Sequence, residues 1–274
     1  GWEGEALWTA PWPKERLARQ HATMGSALFD CMYQQEPLAE GELTFPPAII
    51  DRCRSQRKGG QAPSGEGWIR VASVDPSPTM YNAVIVADVR YEGDQWQCAI
   101  LDVESWKGGE APLRRAIHRW RREYRITHLV IEDSAVSKTL LDSEWFHELE
   151  SQLTVVRHRT QENKNHQLWG VESLASDFEY RRIDLPCGDE VGRAATEVLV
   201  KELRVYPHHK VFDTIMALWF LKWNRKSLRV KVRKLDHFRG LNRGPNASGR
   251  SWIAKRKQDE RKKKLTQVSS IDLT

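Results

Sequence analysis

The stretch that decides the fold reads Ile69-Arg70-Val71-Ala72-Ser73-Val74-Asp75, and two further β-rich runs follow it at residues 83–89 and 95–103. The connectors between these runs carry turn residues, Pro76-Ser77-Pro78 in the first and Glu92-Gly93-Asp94 in the second. Closely spaced β-rich runs that are joined by turn residues predict an antiparallel meander of three strands.

Helices and strands alternate after the meander. Pro112 stands near the start of a predicted helix at 112–124, and the Leu-Val-Ile run within 128–133 suits a strand that is buried on both faces. The remaining pattern predicts a helix at 137–150, a strand at 154–158, and helices at 163–178, 188–202 and 212–223. A meander followed by crossovers predicts an α/β fold in which helices flank a mixed sheet.

The pattern divides the chain into three parts. Residues 1–67 are predicted to form an irregular arm, with a possible helix at 14–28 and a glycine-rich linker at 54–67. Residues 68–224 form the α/β domain, and residues 225–274 form a basic tail.

The net charge of +6 conceals an asymmetry between these parts. Sixteen Lys or Arg and three acids fall between residues 225 and 264, a local charge of +13, so the rest of the chain carries −7. A basic tail on a mildly acidic body indicates a polyanionic partner. A solvated extension is an equally good explanation of the charge alone.

Several classes of protein are disfavoured. The four cysteines lie far apart without zinc-ligand spacing, which favours reduced thiols in a cytosolic compartment over disulfides or a zinc site. No secretory signal is visible, and the longest strongly apolar run, 215–221, is too short to span a membrane. The chain has neither the Gly-x-x-x-x-Gly-Lys-[Ser/Thr] loop of an ATPase nor a Gly-x-Ser-x-Gly nucleophile elbow.

Acidic residues mark the ends or beginnings of three apolar elements. Asp75 closes the first predicted strand, the Glu132–Asp133 pair closes the fourth, and Asp213 opens the last helix. If the first and fourth strands are parallel neighbours, their carboxylates emerge at the same edge of the sheet. Clustered carboxylates repel one another unless cations neutralise them, and two Mg²⁺ or Mn²⁺ ions would do so while clamping a phosphodiester. The pattern therefore predicts a two-metal phosphodiesterase site.

Each of these acids also has a plain structural explanation. Asp75 could simply begin a turn at Pro76-Ser77-Pro78, and the Glu132–Asp133 pair could cap the helix that follows. Asp213 could be the N-cap of its own helix. The metal hypothesis depends on the four positions taken together.

With these residues identified, the sequence resembles the C-terminal nuclease domain of the large terminase subunit of tailed bacteriophages and related viruses. The resemblance spans residues 5–224 and is carried by an entry segment (Leu7-Trp8, 29–37 and Phe45) and by 73–77, 130–134, 203–207 and 213–220. It implies an RNase H-like fold and a two-metal endonuclease that cuts concatemeric double-stranded DNA. Asp75, Glu132 and Asp213 would be the catalytic metal ligands, with Asp133 a further candidate ligand, since alternation lets only one of the pair face inward.

The sequence departs from the family in two ways. Many members have consecutive aspartates after a His at the last site, whereas here Phe212 precedes the single Asp213. The packaging ATPase is also absent, so this chain alone should neither hydrolyse ATP nor move DNA.

The resemblance also implies partners and a location. Double-stranded DNA is the expected substrate, and the portal protein, the small terminase subunit and the packaging ATPase domain are expected partners, in the host cell cytoplasm and transiently on the procapsid, with no membrane. The basic tail could bind DNA phosphates or dock on another motor component. The candidate DNA contacts are Lys226, Arg229, Lys231, Arg233 and Lys234. Two alternatives stay open: another RNase H-like nuclease, of resolvase or transposase type, and a non-catalytic DNA-binding or scaffold domain.

Overall fold

The structure is a computed structural model that describes residues 4, 11–35, 43–77, 80–92, 95–134, 137–160, 162–166, 170–208 and 211–232. Within these residues seven strands form one sheet in the order β1-β7-β4-β3-β2-β5-β6. The strands are β1 (Arg54–Ser55), β2 (Ile69–Asp75), β3 (Tyr81–Glu92), β4 (Gln95–Lys107), β5 (His128–Glu132), β6 (Thr154–His158) and β7 (Ile183–Pro186).

The sheet is mixed, as the sequence predicts. Strands β2, β3 and β4 pair antiparallel as a meander, whereas β5 pairs parallel to β2 and β6 parallel to β5. The pairing of Val74 with Ile131 brings the C-terminal ends of β2 and β5 to the same edge of the sheet. This meander extended by parallel strands is the RNase H-like fold, so the predicted fold class is confirmed.

Helices cover both faces of the sheet. They are α1 (Lys14–Met24), α2 (Ser26–Phe29), α3 (Pro47–Arg52), α4 (Glu110–Tyr124), α5 (Lys138–Leu141), α6 (Glu144–Gln152), α7 (Leu174–Glu179), α8 (Glu190–Val205) and α9 (Asp213–Val232). On one face, hereafter the α9 face, apolar residues of α8 and α9 pack on Val71 and Val130. On the other, the α4 face, apolar residues of α4 and α6 pack on Ala72 and Val74.

The structure corrects several predicted elements. The predicted helix at 14–28 ends at Gly25, whose φ of 84° favours glycine, and a second short helix follows. The predicted helix at 137–150 is two helices, α5 and α6. Within the described parts of 163–178, two 3-10 turns, Glu162–Asn165 and Val171–Ser173, precede α7. Strands β1 and β7 were not predicted, because each is too short to show a periodic pattern.

Residues on either side of 68–224 also pack in the core of the α9 face. Phe45 and Ile50 are fully buried in the core of the α9 face, and β1, which lies in the stretch predicted to be a linker, pairs parallel to β7. At the other end α9 continues past residue 224 to Val232, with Leu228 fully buried.

None of the described helices combines the length and the apolar character that crossing a membrane requires. The four cysteines are free thiols.

Candidate active site

The side chain of Asp75 lies on the α9 face of the sheet. Val71 belongs to the core of that face, Ala72 and Val74 to the core of the opposite face, and side chains alternate along a strand. The last residue of β2 therefore presents its carboxylate beneath α9, at the C-terminal edge of the sheet.

The same alternation separates Glu132 from Asp133. In β5, Val130 packs on the α9 face whereas Leu129 and Ile131 pack on the α4 face, so Glu132 shares the face of Asp75. Asp133 follows the strand, and its carboxylate accepts a hydrogen bond from Arg159 Nε at 3.3 Å. The structure brings Glu132, and not Asp133, to the side of Asp75.

Asp213 is the first residue of α9, and a residue outside the set predicted from the sequence caps this helix. Glu202 Oε2, on α8, accepts hydrogen bonds from the backbone N–H groups of Thr214 at 2.9 Å and Ile215 at 3.3 Å, and from the Thr214 hydroxyl at 2.6 Å. These are among the N–H groups that a helix leaves unsatisfied at its start. Capping of α9 therefore does not require the Asp213 carboxylate.

The charges of these acids act on one another. Burial raises the pKa of Asp75 well above its usual value, and the carboxylates of Glu132, Asp213 and Glu202 raise it further, against a lowering effect of Lys164. Burial also raises the pKa of Asp213. The pKa of Glu202 is raised by burial in spite of its hydrogen bonds to Thr214 and Ile215. Four carboxylates thus form one electrostatic cluster, hereafter the carboxylate cluster: Asp75, Glu132, Glu202 and Asp213.

The donor chemistry of this cluster fits Mg²⁺ or Mn²⁺. Its ligands are carboxylate oxygens, which such hard cations prefer, and a cation would relieve the repulsion that raises the pKa of Asp75. Among the described residues no three side chains of His, Cys, Asp or Glu already converge as ligands of a single ion. The four carboxylates interact through their charges without forming a coordination shell in the described structure.

A buried ion-pair network holds α9 over the sheet. Asp177 Oδ2 lies 2.7 Å from Lys222 Nζ of α9, and Asp177 Oδ1 accepts hydrogen bonds from Trp96 Nε1 at 3.0 Å and Arg182 Nη1 at 3.1 Å. Asp177 is 1% exposed and Lys222 6% exposed. Burial opposes ionisation of Asp177, but Lys222 and Arg182 outweigh burial and lower its pKa. The network fixes the helix whose first residue is Asp213.

Other acids near the sheet have structural partners. Asp88 forms an ion pair with Arg70 at 2.7 Å, and Asp102 accepts a hydrogen bond from the Tyr124 hydroxyl at 2.9 Å. Both lie on the α4 face, away from the carboxylate cluster.

The predicted DNA contacts of the tail are only partly described. Lys226 is exposed on α9. The structure gives the helical backbone but not the side-chain placement of Arg229 and Lys231, and Arg233 and Lys234 lie outside the described residues.

Comparison with known proteins supports the fold. No protein-family model matches the chain, and no curated protein matches it in sequence. The chain is similar in structure to the large terminase of a thermophilic bacteriophage, with a TM-score of 0.52 and 12% identity, over 77% of this chain and 51% of that chain. It thus spans about half the length of that protein. A Mn-soaked, inhibitor-bound human cytomegalovirus terminase nuclease domain aligns with a TM-score of 0.48 and 12% identity, over 69% of this chain and 98% of that one.

Proposed function

We propose that this chain is a divalent-metal-dependent endonuclease of the terminase type, which hydrolyses phosphodiester bonds of double-stranded viral DNA. The observation that carries the proposal is the carboxylate cluster: at one edge of an RNase H-like sheet, burial and the acids of β5, α8 and α9 raise the pKa of the partly buried Asp75 carboxylate at the end of β2. Such a concentration of negative charge in a half-buried site is costly unless a cation binds there.

The residues of the cluster have separate roles in this proposal. Asp75, Glu132 and Asp213 would hold two Mg²⁺ or Mn²⁺ ions. Glu202 would keep the start of α9 in place, so that the Asp213 carboxylate stays directed towards Asp75. Bound metal would supply a water of lowered pKa and charge stabilisation for the departing oxygen. The side chains of the site would hold the scissile phosphate in a single orientation.

The packaging role and its partners belong to the same proposal. Similarity to the large terminase of the thermophilic bacteriophage, at a TM-score of 0.52, supports a role in cutting packaged DNA. The packaging ATPase, the portal protein and the small terminase subunit would then be partners of this chain, acting in the host cytoplasm at the procapsid.

Cleavage of supercoiled plasmid tests the activity. We expect nicking and linearisation with Mg²⁺ or Mn²⁺, inhibition by EDTA, and no cleavage by the Asp75→Asn variant, because it lacks the carboxylate with which the other acids of the cluster interact. Asp142→Asn is the matched control, since Asp142 is an exposed aspartate outside the cluster. Cleavage by Asp75→Asn at the wild-type rate would reject the site, and DNA binding without cleavage under either metal would favour the scaffold alternative.

A further inference from the structure

Helix α4 carries a basic surface that the candidate active site does not use. Its apolar side, formed by Leu113, Ala116, Ile117, Trp120 and Tyr124, is buried against the sheet. Its outer side carries Arg114, Arg115, His118, Arg121 and Arg122, hereafter the α4 arginine surface. Arg121 is partly exposed and the other four are exposed. Outside the tail the chain is net acidic, so this surface is a local reversal of charge.

Nearby acids do not neutralise this surface. Arg119, at the edge of the helix, takes both Glu104 and Glu123 as ion-pair partners. Glu110 accepts a hydrogen bond from Trp145 Nε1 at 2.6 Å. Within the described part of the chain, no carboxylate lies within ion-pair distance of Arg115, Arg121 or Arg122. Among the described residues these three guanidinium groups have no carboxylate partner, which leaves them available to an external anion.

The α4 arginine surface has the composition expected of a surface that binds a polyanion rather than of one that binds a protein. Protein-binding surfaces present exposed aromatic or aliphatic anchors at their centre. The large hydrophobic residues that are exposed in the described structure all lie outside α4: Met32, Met80, Tyr81, Val198, Val205 and Trp223. Trp145, an aromatic residue beside this surface, is 8% exposed and packs beside His118 and Arg114.

The spacing of the arginines matches a phosphate backbone. Arg115 and Arg122 are seven residues apart, about 11 Å along the helix axis at 1.5 Å per residue. One strand of duplex DNA presents a phosphate about every 3.4 Å along its axis, so this distance corresponds to about three phosphates. His118, Arg121 and Arg122 border an open depression of the surface. Planar guanidinium groups bind phosphate oxygens through paired hydrogen bonds.

We propose that the α4 arginine surface binds the phosphate backbone of double-stranded DNA at a place separate from the site of cleavage. The surface lies on the outer side of the helix layer that covers the α4 face, whereas Asp75 and Glu132 face α9 on the opposite side of the sheet. The choice of DNA as the polyanion rests on the proposed function. The surface would hold a segment of duplex other than the one in the active site, and so raise affinity without taking part in the reaction.

The test is the salt dependence of binding of a fluorescent duplex to the full chain in EDTA, which prevents cleavage. The variant Arg115→Gln/Arg121→Gln/Arg122→Gln removes three phosphate contacts. We expect the slope of log K against log salt concentration to become shallower by about 2–3 units, because each contact contributes about 0.9. The triple Lys variant at the same positions should keep most of the slope, which separates lost charge from misfolding.

A matched control removes the same charge elsewhere. Lys14, Arg19 and Arg52 are exposed on α1 and α3, and their triple Gln variant should leave the slope unchanged. An unchanged slope in the α4 variant would overturn the proposal. So would loss of polyglutamate binding in that variant with DNA binding intact, since the surface would then dock an acidic protein. Plasmid cleavage by the wild type reports on the proposed function independently: a changed slope without any cleavage would reject the nuclease and keep the DNA-binding surface.

Discussion

At the scale of single residues, the structure adds Glu202 to the site residues that were predicted from the sequence. It caps α9 through Thr214 and Ile215 and also raises the pKa of Asp75. The strand ends mark Asp75 and Glu132 in the sequence, but nothing in the pattern near Glu202 indicates that α8 and the start of α9 meet. That contact comes from the tertiary packing of two helices, which sequence periodicity does not describe.

Substitution of Glu202 distinguishes a positioning role from metal binding. Glu202→Gln keeps an oxygen that can accept the capping hydrogen bonds, so we expect near-normal cleavage and stability. Glu202→Ala removes the cap, which should cost about 1 kcal/mol of stability and lower kcat by up to about 100-fold through misplacement of Asp213, with KM little changed. Steady-state cleavage kinetics and urea unfolding measure both effects. If Glu202→Gln is as inactive as Asp75→Asn, Glu202 is a ligand and the positioning role is wrong.

At the scale of elements, the fixed position of α9 depends on the Asp177–Lys222 ion pair. Asp177→Asn would leave the Lys222 ammonium buried without a counter-charge, and we expect a loss of about 3–5 kcal/mol in the free energy of unfolding. Asp51→Asn is the control, because the Asp51 pair with Arg54 is exposed and should contribute less than about 1 kcal/mol. Urea unfolding at neutral pH compares the two variants. Equal and small losses would mean that the network does not hold the helix.

The Asp177–Lys222 ion pair should also make the free energy of unfolding depend on pH. The pKa of Asp177 is lowered in the folded state, so its stabilising contribution is present above the usual aspartate pKa and is lost as pH falls through the lower folded value. The difference in unfolding free energy between wild type and Asp177→Asn should therefore stay constant from pH 7 to about 5 and narrow only below about pH 4. A difference that already disappears near pH 6 would contradict the ionised pair.

Strands with a longer apolar run were easier to predict from the sequence than very short strands. β2 and β6 begin and end at the predicted residues because their apolar runs are bounded by turn or charged residues. β7 pairs with β4 at only two positions, Cys98 with Ile183 and Ala99 with Asp184, and a strand of four residues leaves no measurable alternation. Likewise, the partner of a buried charge such as Asp177 comes from tertiary packing, which one sequence does not reveal.

At the scale of the whole molecule, the end of the folded domain can be tested by truncation. A chain that ends after Val232 should keep its stability, whereas one that ends after Asn224 loses the buried Leu228 and the last turns of α9. Loss of a buried leucine side chain alone costs about 2–5 kcal/mol. Thermal unfolding of the two truncated chains measures this difference, and equal stability would place the boundary at residue 224.

Truncation after Val232 also tests the tail. If the basic residues beyond this point bind DNA, the affinity for duplex and its salt slope should fall while the core stays folded. An unchanged slope would assign the tail to a protein partner.

The most direct test of the central claim compares plasmid cleavage in Mn²⁺ by the Glu132→Gln variant with cleavage by the Asp133→Asn variant. The two acids are adjacent in sequence, and the register of β5 places only Glu132 on the side of Asp75. We predict that Glu132→Gln reduces cleavage to the level seen in EDTA, whereas Asp133→Asn cuts at close to the wild-type rate. Loss of cleavage in Asp133→Asn with full activity in Glu132→Gln, or full activity in both, would contradict a nuclease site formed by the carboxylate cluster.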